Sequence, residues 1–335
     1  MTPTPVSVIT GFLGSGKTTL LKTLLARPAM ADTAVVINEF GEVGLDHALL
    51  ESADETVVEL ASGCVCCTIR GDLADTLVDL LARRRDGTIA DFRRIVIETT
   101  GLAEPAPILQ AVMNDALLAE ELRLDRVITV VDAVIGAATL DRHQEAVKQV
   151  ALADRLVLTK TDLLPREPTA LLRRLRALNP AAEIVRTDAA DFDVAALFAG
   201  DETPAERLSA WLACHVEEFH HRHHGAHDDD IVAVSVLRER PVPGVALALF
   251  LEMLSEHCGA SLLRLKGLVK LAEAPERPAV IHGVQHVFHP PVWLDTWPGG
   301  DTRTRLVLIV KGVPATWVET LLEILDEEVT RLEAA

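Results

Sequence analysis

A glycine-rich stretch near the start of the chain has the residue types and spacing that suit phosphate binding. Residues 11–19 read Gly-Phe-Leu-Gly-Ser-Gly-Lys-Thr-Thr and match the pattern GxxxxGK[ST]. Glycines let backbone N–H groups turn toward an anion because no Cβ is in the way, and a helix that begins near Lys17 adds its positive end. Lys17 would reach the β- and γ-phosphates of a nucleotide, and the Thr18 hydroxyl would bind Mg²⁺. The predicted nucleotide-binding residues are Gly11, Gly14, Ser15, Gly16, Lys17, Thr18 and Thr19.

An acidic residue follows a second apolar run. Residues 94–101 read Arg-Ile-Val-Ile-Glu-Thr-Thr-Gly, so a predicted strand ends in Glu98 and a glycine follows at 101. In proteins with the glycine pattern above, a carboxylate at this strand end orders the Mg²⁺ shell, and the glycine N–H senses the γ-phosphate. We therefore expect Lys17 and Glu98 to be the catalytic residues and Gly101 to contact nucleotide.

Residues 159–162, Thr-Lys-Thr-Asp, follow another apolar strand. Both carboxylate oxygens of Asp162 could accept the N1 and N2 hydrogens of guanine, and adenine offers no such donor pair. Guanine-binding loops usually begin with Asn, where this chain has Thr159. The sequence favours GTP over ATP, with base-loop contacts from Thr159, Lys160 and Asp162, and an ordinary polar loop is the alternative interpretation.

Three of the five cysteines, Cys64, Cys66 and Cys67, fall within four residues. In a reducing compartment such clustering favours metal or redox chemistry over a disulfide framework. Three thiolates form a soft donor set suited to Zn²⁺, with Co²⁺ or Cu⁺ as alternatives. Two further interpretations stay open: buried packing residues, and a redox dithiol that lacks the two-residue spacer of the thioredoxin type.

Two further stretches carry groups that bind cations. In residues 38–46, which follow a predicted strand, the carboxylates of Glu39, Glu42 and Asp46 would face Mg²⁺ or the thiolates. A histidine-rich run would bind divalent ions weakly and exchange them readily, and a solvated linker is the alternative. Its members are His220, His221, His223, His224 and His227.

The elements that must position these groups alternate between strands and helices up to about residue 200. This alternation predicts parallel βαβ units with helices on both faces of the sheet. The predicted strands cover 6–10, 33–38, 56–60, 94–99, 126–131, 155–159 and 183–187. The predicted helices cover 17–27, 72–85, 105–119, 142–152 and 167–178.

Beyond residue 200 the pattern changes, because few helices separate the predicted strands. This indicates a smaller α+β domain with a mainly antiparallel sheet. Its strands are predicted at 231–238, 261–271, 278–289 (one or two strands) and 304–310, and its helices at 243–257 and 314–332. The predicted organisation is a nucleotide-binding domain at 1–200, a His-rich linker at 201–230 and a second domain at 231–335.

Length, composition and charge narrow the classes of function. A chain of 335 residues with 49% hydrophobic residues suits about two domains with buried cores. A net charge of −18 argues against a nucleic-acid backbone as the ligand, and 4% aromatic residues argue against a base-stacking surface. No apolar run is long enough to span a bilayer and no signal peptide is recognised, so we expect a cytoplasmic protein without a membrane partner.

These stretches together resemble the CobW-type family of P-loop GTPases, which belongs to the same broad class as the urease and hydrogenase nickel-insertion GTPases. The motifs GFLGSGKTTLL, NEFGEVGLD, GCVCC, ETTG and TKTD occur in the family's order. Residues 281–288 and 304–310 are similar to the family's second domain. The resemblance implies an α/β fold: a P-loop NTPase with a mostly parallel sheet flanked by helices, followed by a smaller α+β C-terminal domain.

The resemblance also implies a function and its ligands. The chain would be a GTPase that binds GTP, GDP and Mg²⁺ and delivers zinc, or cobalt, to a client metalloprotein. Cys64, Cys66 and Cys67 would hold the metal with Glu42 as an additional ligand, and Thr18 and Glu98 would serve Mg²⁺. A homodimer is an assembly that the sequence leaves open.

Nucleotide and metal would be coupled, because the cysteines lie between two segments expected to sense the γ-phosphate, 38–46 and 98–101. No glutamine follows Glu98 in the position that orients water in Ras-like proteins, so slow intrinsic hydrolysis is expected. Two functions of other classes stay open. A P-loop kinase acting on a small molecule would leave the cysteines unused, and a zinc-stabilised nucleotide-binding scaffold would have a closed metal site.

Overall fold

The computed structural model of the chain describes residues 3–38, 57–59, 65–68, 73–189, 192–193, 197–198 and 231–333. The chain divides into two compact units: an N-terminal unit of Met1–Arg174 with Ala182–Gly200, and a C-terminal unit of Leu175–Ala181 with Asp201–Ala335. The predicted boundaries at 200 and 230 stay predictions. The predicted linker with its histidines lies outside the described residues.

A mostly parallel sheet forms the centre of the N-terminal unit. Its strands are β1 (Thr4–Thr10), β2 (Thr33–Asn38), β3 (Val57–Glu59), β4 (Val65–Thr68), β5 (Arg94–Thr99), β6 (Leu122–Asp132), β7 (Arg155–Thr159) and β8 (Glu183–Arg186). Their order in the eight-stranded sheet is β3-β4-β2-β5-β1-β6-β7-β8. Every neighbouring pair is parallel except β3 and β4, which are antiparallel.

Amphipathic helices connect these strands. They are α1 (Lys17–Leu25), α2 (Leu73–Arg85), α3 (Ala106–Asn114), α4 (Ala116–Glu121), α5 (Gly136–Arg142), α6 (Gln144–Leu152) and α7 (Thr169–Leu178). Helix α2 illustrates the pattern: Leu73, Leu77, Leu80 and Leu81 recur at helical spacing, and all four are buried. In the part of the chain that the structure describes, no helix has the length and apolar character needed to cross a membrane.

The central strands of this sheet are apolar on both faces because helices pack against them. Leu20, Leu21 and Leu24 of α1 pack in one cluster with Ile9 of β1 and Ile128 of β6. Central strands of a parallel sheet are covered by helices on both sides and therefore lack a polar face. The predicted α/β class with a mostly parallel sheet is confirmed.

Several local elements differ from the predictions, and three of the differences have a physical reason. Strand β4 was not predicted, because the cysteines at 66 and 67 were interpreted as metal ligands and not as part of a strand. The predicted helix 105–119 is two helices, because Asp115 adopts an extended backbone and its side chain accepts the N–H groups of Leu117 and Leu118 as an N-cap. The predicted strand 126–131 begins earlier, at Leu122, which pairs with Thr4 of β1.

The C-terminal unit contains an antiparallel sheet packed against two helices. The strands are β9 (Ile231–Arg238), β10 (Leu262–Val269), β11 (Ala279–Val284), β12 (Val287–Phe288), β13 (Val292–Trp293) and β14 (Thr304–Lys311). They form a six-stranded sheet of order β12-β11-β10-β14-β9, with β13 paired to β11. The helices α8 (Gly244–Cys258) and α9 (Ala315–Glu333) contribute Phe250 and Val318 to a core shared with Leu265 and Leu308. The predicted smaller α+β domain is confirmed in class.

A buried ion pair joins α9 to the end of β9. The Nη2 of Arg238 donates to Oδ2 of Asp326 at 2.5 Å, and its Nη1 donates to the carbonyl of Leu322 at 3.2 Å. The Asp326 side chain is 2% exposed. A buried carboxylate that loses its cationic partner keeps the full cost of its dehydration.

Replacing Arg238 tests this pair. We expect Arg238→Met to lower the free energy of unfolding of the C-terminal unit by about 3 kcal/mol, because Asp326 is left charged and buried. Denaturant unfolding followed by tryptophan fluorescence isolates this unit, since all four tryptophans lie after residue 200.

The matched control is Arg331→Met, which removes the exposed pair of Arg331 with Glu328 and should change stability by less than about 0.5 kcal/mol. The double variant Arg238→Met/Asp326→Leu should recover much of the loss. Equal stability of the two arginine variants would contradict the assigned role of the pair.

Candidate nucleotide and metal site

The glycine loop lies between the end of β1 and the start of α1. Gly11, Gly14 and Gly16 have φ angles of 140°, 71° and 101°, which residues with a Cβ rarely adopt. A Cβ on Gly11 would lie 2.3 Å from the carbonyl oxygen of Val130 in β6. The loop therefore requires glycine at position 11 for its conformation and for its close approach to the neighbouring strand.

The ammonium of Lys17 lies within the curve of this loop. Its Nζ donates to the carbonyls of Gly11 at 2.8 Å and Phe12 at 3.3 Å, and the residue is 8% exposed. Lys17 is also the first residue of α1, where the helix N–H groups point into the loop. A buried cation and a helix start at one place form a cradle for a phosphate. Ser15 is buried within the loop, and Gly14 and Thr19 are exposed.

Thr18 and Glu98 meet in the structure although they are far apart in the chain. The Thr18 hydroxyl donates to Oε1 of Glu98 at 2.9 Å. Glu98 is 6% exposed and pairs with Ile9 across β5 and β1. A hydroxyl oxygen and a carboxylate oxygen side by side are hard donors of the kind that Mg²⁺ prefers. The donor set at this position fits the predicted magnesium site.

The backbone after β5 touches the backbone of the glycine loop. A Cβ on Gly101 would lie 2.7 Å from the nitrogen and 2.8 Å from the Cα of Leu13. The strand ends are also joined, because the Thr99 hydroxyl donates to the Thr10 hydroxyl at 2.8 Å. The glycine at 101 is explained by this contact, and it places the predicted γ-phosphate-sensing residue beside the loop.

The loop after β7 is tied to the glycine loop by two of its residues. The Thr159 hydroxyl donates to the carbonyl of Ser15 at 2.6 Å. Lys160 has a φ of 58°, and its Nζ donates to the carbonyl of Gly14 at 2.8 Å. Asp162 is exposed in the short 3₁₀ turn Thr161–Leu163. Thr159, where guanine-binding loops usually have Asn, thus links two loops, and Asp162 is accessible to a base.

Asp132 is a site residue that the sequence analysis missed. Its Oδ2 accepts from Nζ of Lys160 at 2.5 Å, and its Oδ1 accepts the N–H groups of Val134 at 2.7 Å and Ile135 at 3.1 Å. Asp132 ends an apolar strand that neighbours β1, as Glu98 does. Applying the same rule to both strand ends would have found it.

An ion pair at the end of β8 lies next to the end of β7. Arg186 donates to both carboxylate oxygens of Asp188, at 3.1 and 2.9 Å. This hydrogen bonding lowers the pKa of Asp188 to about 2. The backbone N–H of Thr187 donates to the carbonyl of Leu158 in β7. Asp188 therefore stays ionised at neutral pH at the end of the strand next to β7.

The predicted zinc ligands lie only partly within the described chain. Strand β4 includes the backbone of Cys66 and Cys67 and pairs with β2 on one side and β3 on the other. Cys64 and Glu42, with Glu39 and Asp46, lie outside the described residues. Among the side chains that the structure describes, no group of three His, Cys, Asp or Glu is placed to hold a metal. Zinc ligation by this motif stays a prediction.

Comparison with known protein families decides the relationship of the chain. The family model for the CobW/HypB/UreG nucleotide-binding domain matches residues 5–186. The family model for the cobalamin synthesis protein cobW C-terminal domain matches residues 231–325. The chain belongs to the CobW/HypB/UreG family. The predicted family resemblance is confirmed, since the first match alone covers more than half of the chain.

Individual members of the CobW/HypB/UreG family are similar to this chain along most of its length. The zinc chaperone YjiA of Escherichia coli is 34% identical over 313 residues, which cover 93% of this chain and 95% of that protein. The zinc chaperone CobW of Pseudomonas aeruginosa is 33% identical over 342 residues, covering 91% and 87%. The crystal structure of Zn(II)-bound YjiA GTPase from E. coli has a TM-score of 0.75 and 30% identity, covering 97% of this chain and 99% of that chain.

Thr159→Val tests whether this residue joins the two loops or reads the base. We expect the variant to bind GDP and xanthosine diphosphate about fivefold more weakly than wild type, by equal factors, because one hydrogen bond to the phosphate loop is lost. Asp162→Asn should instead weaken GDP and strengthen the xanthine nucleotide, since an amide can donate to the xanthine oxygen. Fluorescent-nucleotide titration measures both. A changed base preference in Thr159→Val would overturn the assigned contact.

Proposed function

We propose that this chain is a GTP-hydrolysing metallochaperone that binds zinc through Cys64, Cys66 and Cys67 and transfers it to a client metalloprotein. The contact of Thr18 with Glu98 is the observation that carries the nucleotide part, because it joins the glycine loop to a carboxylate at the next strand. The relatives named zinc chaperones support the metal part.

The substrate of the nucleotide site is GTP. Backbone N–H groups of the loop and the start of α1 receive its phosphates, and Lys17 neutralises the β- and γ-phosphates. Asp162 accepts the guanine N–H groups. Thr18 and Glu98 would hold Mg²⁺, which supplies charge for the phosphate oxygens when it is bound. Gly101 lies where its N–H can meet the third phosphate, the group that distinguishes GTP from GDP.

The metal cargo binds at a short distance across the sheet. Cys67 and Ile97 both pair with Val36 of β2, and Glu98 is the next residue after Ile97. Neighbouring strands are about 4.8 Å apart, so the backbone of the cysteine strand runs about 10 Å from that of β5. A movement of the end of β5 on hydrolysis would therefore be transmitted to the cysteine strand through one intervening strand, β2.

The magnitudes determine how zinc can leave. Thiolate-rich zinc sites bind with about 10–16 kcal/mol of apparent free energy, whereas coupling between two sites is typically about 1–3 kcal/mol. Hydrolysis alone is too weak to release zinc into water. It suffices to favour a ligand exchange in which a docked client replaces the thiolates, and Glu42 as an additional ligand, one bond at a time.

Zinc titration in two nucleotide states tests the coupling. We expect zinc affinity with a non-hydrolysable GTP analogue to differ about 5- to 150-fold from the affinity with GDP, measured by competition with a chelating indicator. Cys66→Ser and Cys67→Ser should weaken zinc binding in both states, because a thiolate ligand is lost.

Cys258→Ser is the matched control, because this buried cysteine lies in α8 outside the motif, and it should leave zinc affinity unchanged. Zinc affinity that is equal in the two nucleotide states would argue against coupled delivery. Rapid zinc release to a weak indicator on hydrolysis, without an acceptor protein, would contradict transfer through a docked complex.

Glu98→Gln tests the magnesium role. The amide keeps the shape but loses the charge, so we expect Mg²⁺-dependent phosphate release to fall about 10- to 100-fold, while GDP affinity in EDTA stays the same. Glu121→Gln, which neutralises a half-buried partner of the exposed Arg85 far from β5 in the chain, is the control. Wild-type hydrolysis in Glu98→Gln would exclude this carboxylate from the reaction.

A further inference from the structure

Helix α6 contributes a buried amide to the segment that follows β5. Gln149 is 0% exposed and lies among the buried Ala146, Val147 and Val150. Its Nε2 donates to the carbonyl of Gly101 at 3.3 Å and to the carbonyl of Ala103 at 3.1 Å. Both hydrogens of the side-chain NH₂ group are therefore donated to carbonyls of one short stretch of backbone.

This stretch is a turn pressed against the glycine loop. The N–H of Ala103 donates to the carbonyl of Thr100 at 3.2 Å, which closes the turn. On its other side, Gly101 lies so near Leu13 that a Cβ would come within 2.7 Å of the Leu13 nitrogen. The turn thus has the loop on one side and the Gln149 amide on the other.

The orientation of the Gln149 amide follows from its neighbours. The reversed orientation would put its oxygen against two carbonyl oxygens, so the NH₂ group must face the turn. Its Oε1 is buried and makes no hydrogen bond within the described part of the chain. A buried acceptor without a partner is destabilising. The net contribution of Gln149 to folding is therefore small, and its two donated bonds act on the position of the turn.

Helix α6 is a fixed support for this amide. The carbonyl of Gln149 accepts the Thr129 hydroxyl of β6 at 2.7 Å, a buried bond. The preceding residue, Lys148, forms an ion pair with Glu104, directly after the turn. Two successive residues of α6 therefore hold residues 101–104, and the buried apolar face of α6 keeps the helix in place independently of the single Thr129 bond.

We infer that Gln149 is a positioning residue that holds the Gly101 turn where it meets the γ-phosphate, and so sets the preference of the site for GTP over GDP. The inference rests on the proposed function. Gly101 is expected to contact only the third phosphate, so loss of the Gln149 bonds affects GTP and spares GDP.

Two substitutions separate hydrogen bonding from shape. Gln149→Met keeps the length of the side chain without donors, and Gln149→Glu puts an acceptor in place of the NH₂ group. In the full-length chain we expect both to bind a non-hydrolysable GTP analogue about tenfold more weakly, with GDP affinity within about twofold of wild type. The kcat for GTP hydrolysis should fall by a similar factor. Titration with fluorescent nucleotides and phosphate release measure these quantities.

Thr129→Val is the matched control, because it removes a buried hydrogen bond from the same residue of α6 without touching the turn. It should leave the ratio of GTP-analogue to GDP affinity unchanged, whatever its effect on stability. The inference is overturned if wild type binds the GTP analogue more tightly than GDP and Gln149→Met shows the same preference. It is also overturned if Thr129→Val changes the ratio of the two affinities as much as Gln149→Met does. A wild-type chain that neither binds nor hydrolyses GTP overturns the proposed function itself.

Discussion

The close approach of three backbone segments at the glycine loop is the constraint on which the site depends. Gly11 touches β6, and Gly101 touches Leu13 from the side of β5. Neither position has room for a single methyl group, so the loop cannot move without displacing a neighbour. Close-packed elements of this kind have a few discrete arrangements and do not deform continuously. A displacement of the loop would therefore displace the ends of both neighbouring strands.

The loop after β7 extends this constraint to base recognition. Thr159 donates a hydrogen bond to the carbonyl of Ser15, and Lys160 donates one to the carbonyl of Gly14. Lys160 also forms an ion pair with Asp132. In the proposed site, Asp162 is the residue of this loop that would accept the base. The segments proposed to bind base and phosphate are thus connected, and the Thr159 hydroxyl makes a link between them that does not depend on an amide at that position.

The sequence predicted those parts of the fold and site that depend on local pattern. The glycine loop, the strand that carries Glu98 near its end and the parallel βαβ arrangement all follow from spacing and periodicity, and the structure has them. Strand β4 was missed because its cysteines were interpreted as metal ligands. The break at Asp115 was missed because a single capping residue leaves almost no periodic signal. Gln149 was missed for another reason: its partners are 46 and 48 residues away, and only tertiary packing brings them together.

The outer strands of the N-terminal sheet have a consequence for solubility. As described, the sheet ends in β3, with three residues, on one side and in β8, with four, on the other. Exposed edges of long, flat strands are templates on which other chains add and aggregate. Edges this short, one of them antiparallel and the other bearing Glu183 and Arg186, offer few unpaired backbone groups. The described edges of this sheet therefore offer little backbone on which another chain could add a strand.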